Sequence, residues 1–210
     1  MPTYIAISGP CHSGKTTLMN LLRGKYAEDH NVRFINDLHD DTWCDLVDKG
    51  SFGKFEEVYS DRDYLLLYCT QVIDRYVKIF KDYDKINDDT LVVIDGSYID
   101  YLIYTILHLW YHYPSVEIQE RMILKLLGTV GKLSKIFMVY ADDDRYPVNS
   151  HTTTLRQRMA NFKRNRKVEL SLYDTYRSNS EVVNCTSDFL QTEAIVGDYI
   201  DQFLETHRLS

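Results

Sequence analysis

Thr3-Tyr4-Ile5-Ala6-Ile7-Ser8 runs straight into Gly9-Pro10-Cys11-His12-Ser13-Gly14-Lys15-Thr16, and Leu18, Leu21 and Leu22 follow at helical spacing. The first stretch is β-rich and ends in small residues, the second is a glycine loop and the third is helical, so the order is strand, loop, helix. Each part of G-x-x-x-x-G-K-T has a mechanical reason in that setting. Glycines let the backbone turn its N–H groups around a polyphosphate, Lys15 reaches the β and γ oxygens, and Thr16 offers a hydroxyl to Mg2+ at a helix N-terminus. The alternative, a chance match in a glycine turn, would not require the strand before it and the helix after it. Gly9, Ser13, Gly14, Lys15, Thr16 and Thr17 are therefore expected around the phosphates of a nucleoside triphosphate. Pro10, Cys11, His12 and Ser13 occupy variable positions of such loops, and their side chains carry no role that the sequence argues.

Outward from this loop, strand and helix signals alternate. Val32-Arg33-Phe34-Ile35-Asn36 is a second β-like run that passes into an acidic segment with Asp37, Asp40 and Asp41, and residues 40–63 read as irregular. Leu65, Cys69, Val72, Tyr76 and Ile79 mark one face of a helix over about 64–83, broken by Asn87-Asp88-Asp89. Leu91-Val92-Val93-Ile94 is too short for a helix and rich in β-branched residues, which predicts a strand buried on both faces and ending at Asp95-Gly96. Helices are expected at about 97–112 and 115–127. Ile136–Tyr140 repeats the buried-strand signature before Ala141-Asp142-Asp143-Asp144, a basic helix-like segment covers about 152–173, and Glu181–Cys185 is the last strand. Thr186-Ser187-Asp188 then opens a final helix with Ile195, Tyr199 and Phe203 facing inward.

Strands alternating with helices imply right-handed crossovers and an α/β fold, a parallel sheet covered on both faces. Five strands are expected in the order 2-3-1-4-5, with residues 1–210 as one domain. Ligands of such sheets bind at the carboxyl ends of the strands, which directs attention to Gly9–Thr16, Asp37, Asp95, Asp142–Asp144 and Asn184–Ser187.

Composition narrows the classes. The chain has 210 residues, 44% hydrophobic and 26% charged, with 9 Gly and 4 Pro, enough apolar content for a sizeable core. Its 24 Lys+Arg against 31 Asp+Glu leave a net charge of −7, which disfavours a protein living mainly by non-specific attraction to nucleic acid or acidic membranes. No run approaches the ~20 apolar residues of a membrane span, and the first residues carry no positive n-region, so a soluble, cytoplasmic protein without membrane association is expected. Cys11, Cys44, Cys69 and Cys185 are scattered and never in a C-x-x-C pair, as for free thiols in a reducing compartment. His108 and His112 share a helical face, but no third ligand with suitable spacing accompanies them, which argues against zinc. Seventeen tyrosines fit half-buried amphipathic packing.

The remaining chemistry-bearing residues follow from position. A carboxylate at Asp95 lies beside the phosphate loop if the third strand neighbours the first, within reach of Mg2+; the alternative is an Asp that caps a turn. Asp37, at the end of the second strand, stands where a general base would face the γ-phosphate, unless it belongs with Asp40 and Asp41 to a solvated loop. Residues 155–167 hold six of the 24 basic residues and no acid. That segment reads as a lid, spanning about 145–170, whose Arg156 and Arg158, and then Arg164 and Arg166, close over the transferred phosphoryl group. A solvated basic face and a nucleic-acid contact are the alternatives. Gln71 and Arg75 lie one turn apart on a polar face and could grip a base or a phosphate of the acceptor.

Taken together, these residues resemble the P-loop nucleoside and nucleotide kinases: thymidylate kinase, the deoxynucleoside kinases and the nicotinamide riboside kinase-like proteins often carried by phages. The resemblance covers most of the chain through Gly9–Thr16, the helix from Leu66-Leu67-Tyr68 to Arg75, Leu91–Ser97, Ile136–Tyr140 and the Arg-rich lid, of which the first motif is highly specific. It implies a P-loop kinase fold, ATP as donor, and Mg2+ held by Thr16 and Asp95. It also implies an adenine site bordered by Asn184, Thr186 and Ser187, a homodimer as an assembly to expect, and, for a phage protein, the host cytoplasm. Where thymidylate kinases end the third strand in Asp-Arg and deoxynucleoside kinases in Glu-Arg-Ser, this chain has Asp95-Gly96-Ser97, so either Arg75, Arg62 or a lid arginine replaces the family arginine or the acceptor phosphate is handled differently. Asp95 through Tyr104 also looks like the Asp-Arg-Gly/Ser-x-x-Asp segment of riboside kinase-like proteins, which makes Asp100 a candidate substrate contact; with Gln71 and Arg75, Tyr98 and Asp100 offer hydrogen-bonding and stacking groups for a base and sugar. The expected activity is phosphoryl transfer from ATP to a (deoxy)nucleoside or nucleoside monophosphate. The alternatives are a kinase acting on a DNA strand end or hydroxymethylated base, and a nucleotide-dependent switch without a small acceptor.

Overall fold

The computed structural model describes residues 2–10, 13–36, 74–75, 77–85, 89–100, 103, 133–139, 170–171, 173–175, 182–186 and 188–208. Five strands form one parallel sheet: β1 (Thr3–Ser8), β2 (Val32–Ile35), β3 (Leu91–Asp95), β4 (Leu133–Met138) and β5 (Val182–Asn184). Their order is β2-β3-β1-β4-β5, the order expected for a P-loop kinase fold. The two central strands are the most apolar because both of their faces are covered: Tyr4 to Ile7 and all of Leu91 to Asp95 are buried. β2 and β5 lie at the edges and are correspondingly half-exposed.

β4 begins three residues earlier than the apolar run suggested. Its first half, Leu133-Ser134-Lys135, is only partly covered, so it carries no run of large apolar residues. The pairing of β1 with β4 shifts register between Tyr4 and Ile5, which face Leu133 and Lys135. Ser134 sits in that irregularity and its hydroxyl donates to Tyr4 O at 3.0 Å.

The core on one face is closed by α1 (Lys15–Lys25), which buries Leu18, Met19 and Leu22, and by α2 (Phe189–Arg208). Leu21, part of the apolar pattern, is instead 44% exposed. On α2 the most deeply buried row is Val196, Ile200 and Leu204, together with Phe203. Ile195 and Tyr199, expected to face inward, are partly buried and pack at its margin. Asp188 precedes α2 and caps it, its Oδ1 accepting from Leu190 N at 3.0 Å and Gln191 N at 3.3 Å. The helices are tied together where the Tyr26 hydroxyl shares its donor between Gly197 O at 3.0 Å and Asp201 Oδ1 at 2.9 Å.

On the other face, helical residues 77–83 belong to the helix expected over 64–83, and Phe80 packs edge-to-face on Tyr4 with centroids 4.7 Å apart. The Tyr4 hydroxyl donates to Asp84 Oδ1 at 3.0 Å, and burial together with that carboxylate pushes its ionisation up. The helix expected over 115–127 lies outside the described residues. Among the described residues no helix is long and apolar enough to cross a membrane.

Candidate active site

The phosphate loop is set by the rungs that end β1. Gly96 N donates to Ile7 O and Val139 N to Ser8 O, both at 2.8 Å, so the chain leaves the sheet at Gly9 between β3 and β4. Gly9 has φ +148°, and a Cβ there would sit 2.4 Å from Val139 O. Glycine is required by both conformation and space. Ser13 N donates to Pro10 O at 3.1 Å to close a tight turn. Gly14, at φ +94°, then turns the chain into α1 as its N-cap. Among the described residues no side chain caps α1, and no acidic residue stands in its first turn, so its first amides and the positive end of its dipole face the loop. Among the described residues Ser13 Oγ is buried and finds no hydrogen-bond partner. Lys15 folds back over the loop, its Nζ donating to Gly9 O at 2.6 Å and Pro10 O at 3.2 Å. The loop's own carbonyls thus hold the charge that an anion would take up.

Asp95 closes β3 directly beside this loop, because β1 and β3 pair in register with Ile7 opposite Asp95. The carboxylate is 3% exposed, and its Oδ2 accepts from Thr16 Oγ1 at 3.3 Å. A hydroxyl and a carboxylate together at a helix N-terminus are hard oxygen donors, and this pair fits Mg2+. Thr17 is exposed on α1.

Asp100 follows β3 by one short turn. Its Oδ1 accepts from Gly9 N at 2.9 Å and from the Tyr173 hydroxyl at 2.7 Å. Oδ2 accepts from Ser8 Oγ at 2.8 Å and from Ser97 N. Tyr98, expected at the acceptor, is 6% exposed and lies within the packing. Arg75 is half-buried in a helical turn.

The segment after β5 reaches the same end of the sheet. Cys185 N donates to Met138 O at 2.8 Å, and Asn184 and Cys185 line one small cavity with Pro10, Val139 and Tyr173. Thr186 is tied into the first turn of α2, its Oγ1 accepting from Asp188 N at 3.2 Å. Phe189 of that turn packs on the phosphate loop, where a Cβ at Gly14 would meet its ring at 2.5 Å. Cys185 is a buried free thiol, pushed up to about 12 by burial.

Gly9, Ser13, Gly14, Lys15, Thr16 and Asp95 are thus brought together, with Asn184 and Thr186 at one side. Asp37, Arg62, Gln71, Arg156, Arg158, Arg164, Arg166 and Ser187 lie outside the described residues, as do His108 and His112. Sequence reasoning passed over Ser8, Ser97, Tyr173 and Phe189, which surround the loop. Ser97 had a signal, since it follows the strand-ending Asp95-Gly96, but Tyr173 and Phe189 had none.

No protein-family model matches the chain, and no curated protein matches it. Solved structures do. Thymidylate kinase from Ehrlichia chaffeensis superposes with a TM-score of 0.59 at 16% identity, over 95% of this chain and 98% of that one. Thymidylate kinase from Candida albicans superposes with a TM-score of 0.61 at 13% identity, over 99% of this chain and 92% of that one. The sheet order, the phosphate loop after β1 and these superpositions show that the chain has the fold of the P-loop nucleotide kinases.

Proposed function

We propose that this chain, as one domain over residues 1–210, transfers a phosphoryl group from ATP to a (deoxy)nucleoside or nucleoside monophosphate. The observation that carries this reading is the Thr16–Asp95 pair at 3.3 Å beside the phosphate loop. A loop alone binds phosphate, whereas a loop with a hydroxyl–carboxylate pair at the next strand is equipped to hold the metal that accompanies a triphosphate. Mg2+, held by Thr16 and Asp95, would neutralise charge on the β and γ oxygens.

The chain's own residues do the rest. The first amides of α1 and the buried Ser13 hydroxyl take phosphate oxygens, and Lys15 exchanges Gly9 O and Pro10 O for the β and γ oxygens. Asn184, Thr186 and Ser187 border the base. With a nucleoside acceptor Asp37 takes the proton of the attacking hydroxyl, a step that the ionised phosphate of a monophosphate does not need, and Arg156 and Arg158 neutralise the transferred group. Arg62, Gln71, Arg75, Tyr98, Arg164 and Arg166 are the candidates for acceptor recognition.

The test is transfer of labelled phosphate from ATP, run in parallel on nucleosides, nucleoside monophosphates, and unmodified and hydroxymethylated DNA. Transfer to members of the first two panels is expected. Transfer to DNA alone would overturn the acceptor class, and slow hydrolysis indifferent to every acceptor would mark a nucleotide-dependent switch.

A further inference from the structure

Asp100 is a carboxylate placed against an anion-binding loop, where Coulomb's law makes it unfavourable. Its contacts explain why it is there. The last rung between β1 and β3 is Gly96 N to Ile7 O. Continuing the register of Ile7 opposite Asp95 puts Gly9 beside Ser97, at the point where the two chains part for the loop and for the next turn. Asp100 takes one amide from each, Gly9 N on Oδ1 and Ser97 N on Oδ2, and so bridges the two chains where their ladder ends.

The polarity of the surrounding bonds converges on the same group. Ile99 N donates to Ser97 Oγ at 3.0 Å, Ser97 Oγ donates to Ser8 Oγ at 2.9 Å, and Ser8 Oγ donates to Asp100 Oδ2 at 2.8 Å. The Tyr173 hydroxyl adds a donor on Oδ1 at 2.7 Å from another part of the chain. Every one of these groups gives its proton toward a carboxylate, which accepts only.

Gly9 is the residue this network holds, and it is held from two sides. Its N–H goes to Asp100 and its C=O to Lys15 Nζ at 2.6 Å. We infer that Asp100 is a positioning residue for nucleotide binding: it keeps the Gly9 peptide in place when Lys15 leaves that carbonyl for the polyphosphate. This rests on the reading of the loop as a nucleoside triphosphate site. The network touches the loop backbone, so Asp100 acts through Gly9.

The experiment measures the affinity of the full chain for ATP-Mg2+ by calorimetry, with the thermal midpoint as a second readout. Asp100→Asn keeps the size but turns an amide NH2 toward one of the backbone donors, and the Kd is expected to rise about tenfold, as for loss of a charge-assisted hydrogen bond. Removal of a negative charge beside the cradle would by itself tighten binding, so the sign of the change is diagnostic. In a Lys15→Ala background, where no lysine departs, the same substitution should change Kd by about threefold or less. A role confined to stability would lower the midpoint equally in both backgrounds and leave the Kd of the folded protein unchanged. Unchanged or tighter binding in Asp100→Asn, or an equal loss in both backgrounds, overturns the inference. If Asp100→Asn does not fold, Tyr173→Phe should raise Kd about threefold, and an unchanged Kd there overturns it as well. Failure of the unaltered chain to bind ATP would instead remove the nucleotide reading itself.

Discussion

Gly9 tolerates no side chain, since its φ is +148° and an added Cβ meets a backbone atom, Val139 O, that cannot swing away. Gly9→Ala is therefore expected to cost about 3 kcal/mol in chemical denaturation and to abolish nucleotide binding. At Gly14 the added Cβ meets the edge of the Phe189 ring, which can shift, so Gly14→Ala should cost less, about 1 kcal/mol, mainly from its φ of +94°. Lys15→Ala should behave in the opposite way, with phosphoryl transfer lost and the denaturation midpoint nearly unchanged, because water can replace the lysine at Gly9 O and Pro10 O. Retained transfer in that variant would remove Lys15 from the reaction. The glycines, Lys15 and Thr16 were legible in the sequence because a local loop geometry dictates their spacing, and Asp95 because it ends a buried strand that pairs with β1. Asp100 was singled out for an acceptor contact, whereas its four described bonds go to Ser8, Gly9, Ser97 and Tyr173. Ser97 and Asp100 stand at capping-box spacing, with Asp100 accepting from Ser97 N and Ser97 Oγ from Ile99 N, whereas only the fold brings Ser8, Gly9 and Tyr173 to that carboxylate.

Among elements, α2 buries Phe203 as expected and packs Ile195 and Tyr199 against the core, but its inward face is wider than those three residues. Its apolar side is wide enough to present two adjacent rows, and the sequence alone does not say which faces the sheet. Val196, Ile200 and Leu204 lie deepest, with Ile195 and Tyr199 flanking. β4 shows the same limit, because the apolar run marks where a strand is buried, not where hydrogen bonding begins. The start of α2 was better signalled, since Asp188 stands where a cap is needed and does accept from Leu190 N and Gln191 N. Asp188→Ala should destabilise the chain by about 1 kcal/mol in urea denaturation, while Asp188→Asn should retain most of the cap. The first turn of α2 also carries Phe189, which rests on Gly14. Loss of the cap is thus expected to weaken nucleotide affinity as well as stability, measured on the same variant.

At the scale of the whole molecule, three buried groups bias stability against alkali. Burial pushes Cys185 from 9.0 to about 12, and burial also raises Tyr4 and Tyr26. Above about pH 9 the unfolded chain loses these protons while the folded chain keeps them, so the folded state binds more protons and stability falls as pH rises toward the folded values. The urea midpoint should therefore decline between about pH 9 and 11, and Cys185→Val should remove part of that slope. In the folded protein at pH 8 Cys185 should resist thiol reagents that label it in denaturant, as peptide mapping would show. The sheet order has a further consequence, for the time at which the site comes into being. β1 is central, and its bonded neighbours lie far along the chain: Ser97 Oγ donates to Ser8 Oγ across 89 residues, and Ser134 Oγ to Tyr4 O across 130. The loop residues are made first and shaped last, because Gly9 is confined by Val139 and Asp100. During synthesis the first strand can pair with β3 on one edge, but its other edge must wait, apolar and open, until β4 has emerged, so ATP protects a nascent chain from proteolysis only once both neighbours of β1 are in place.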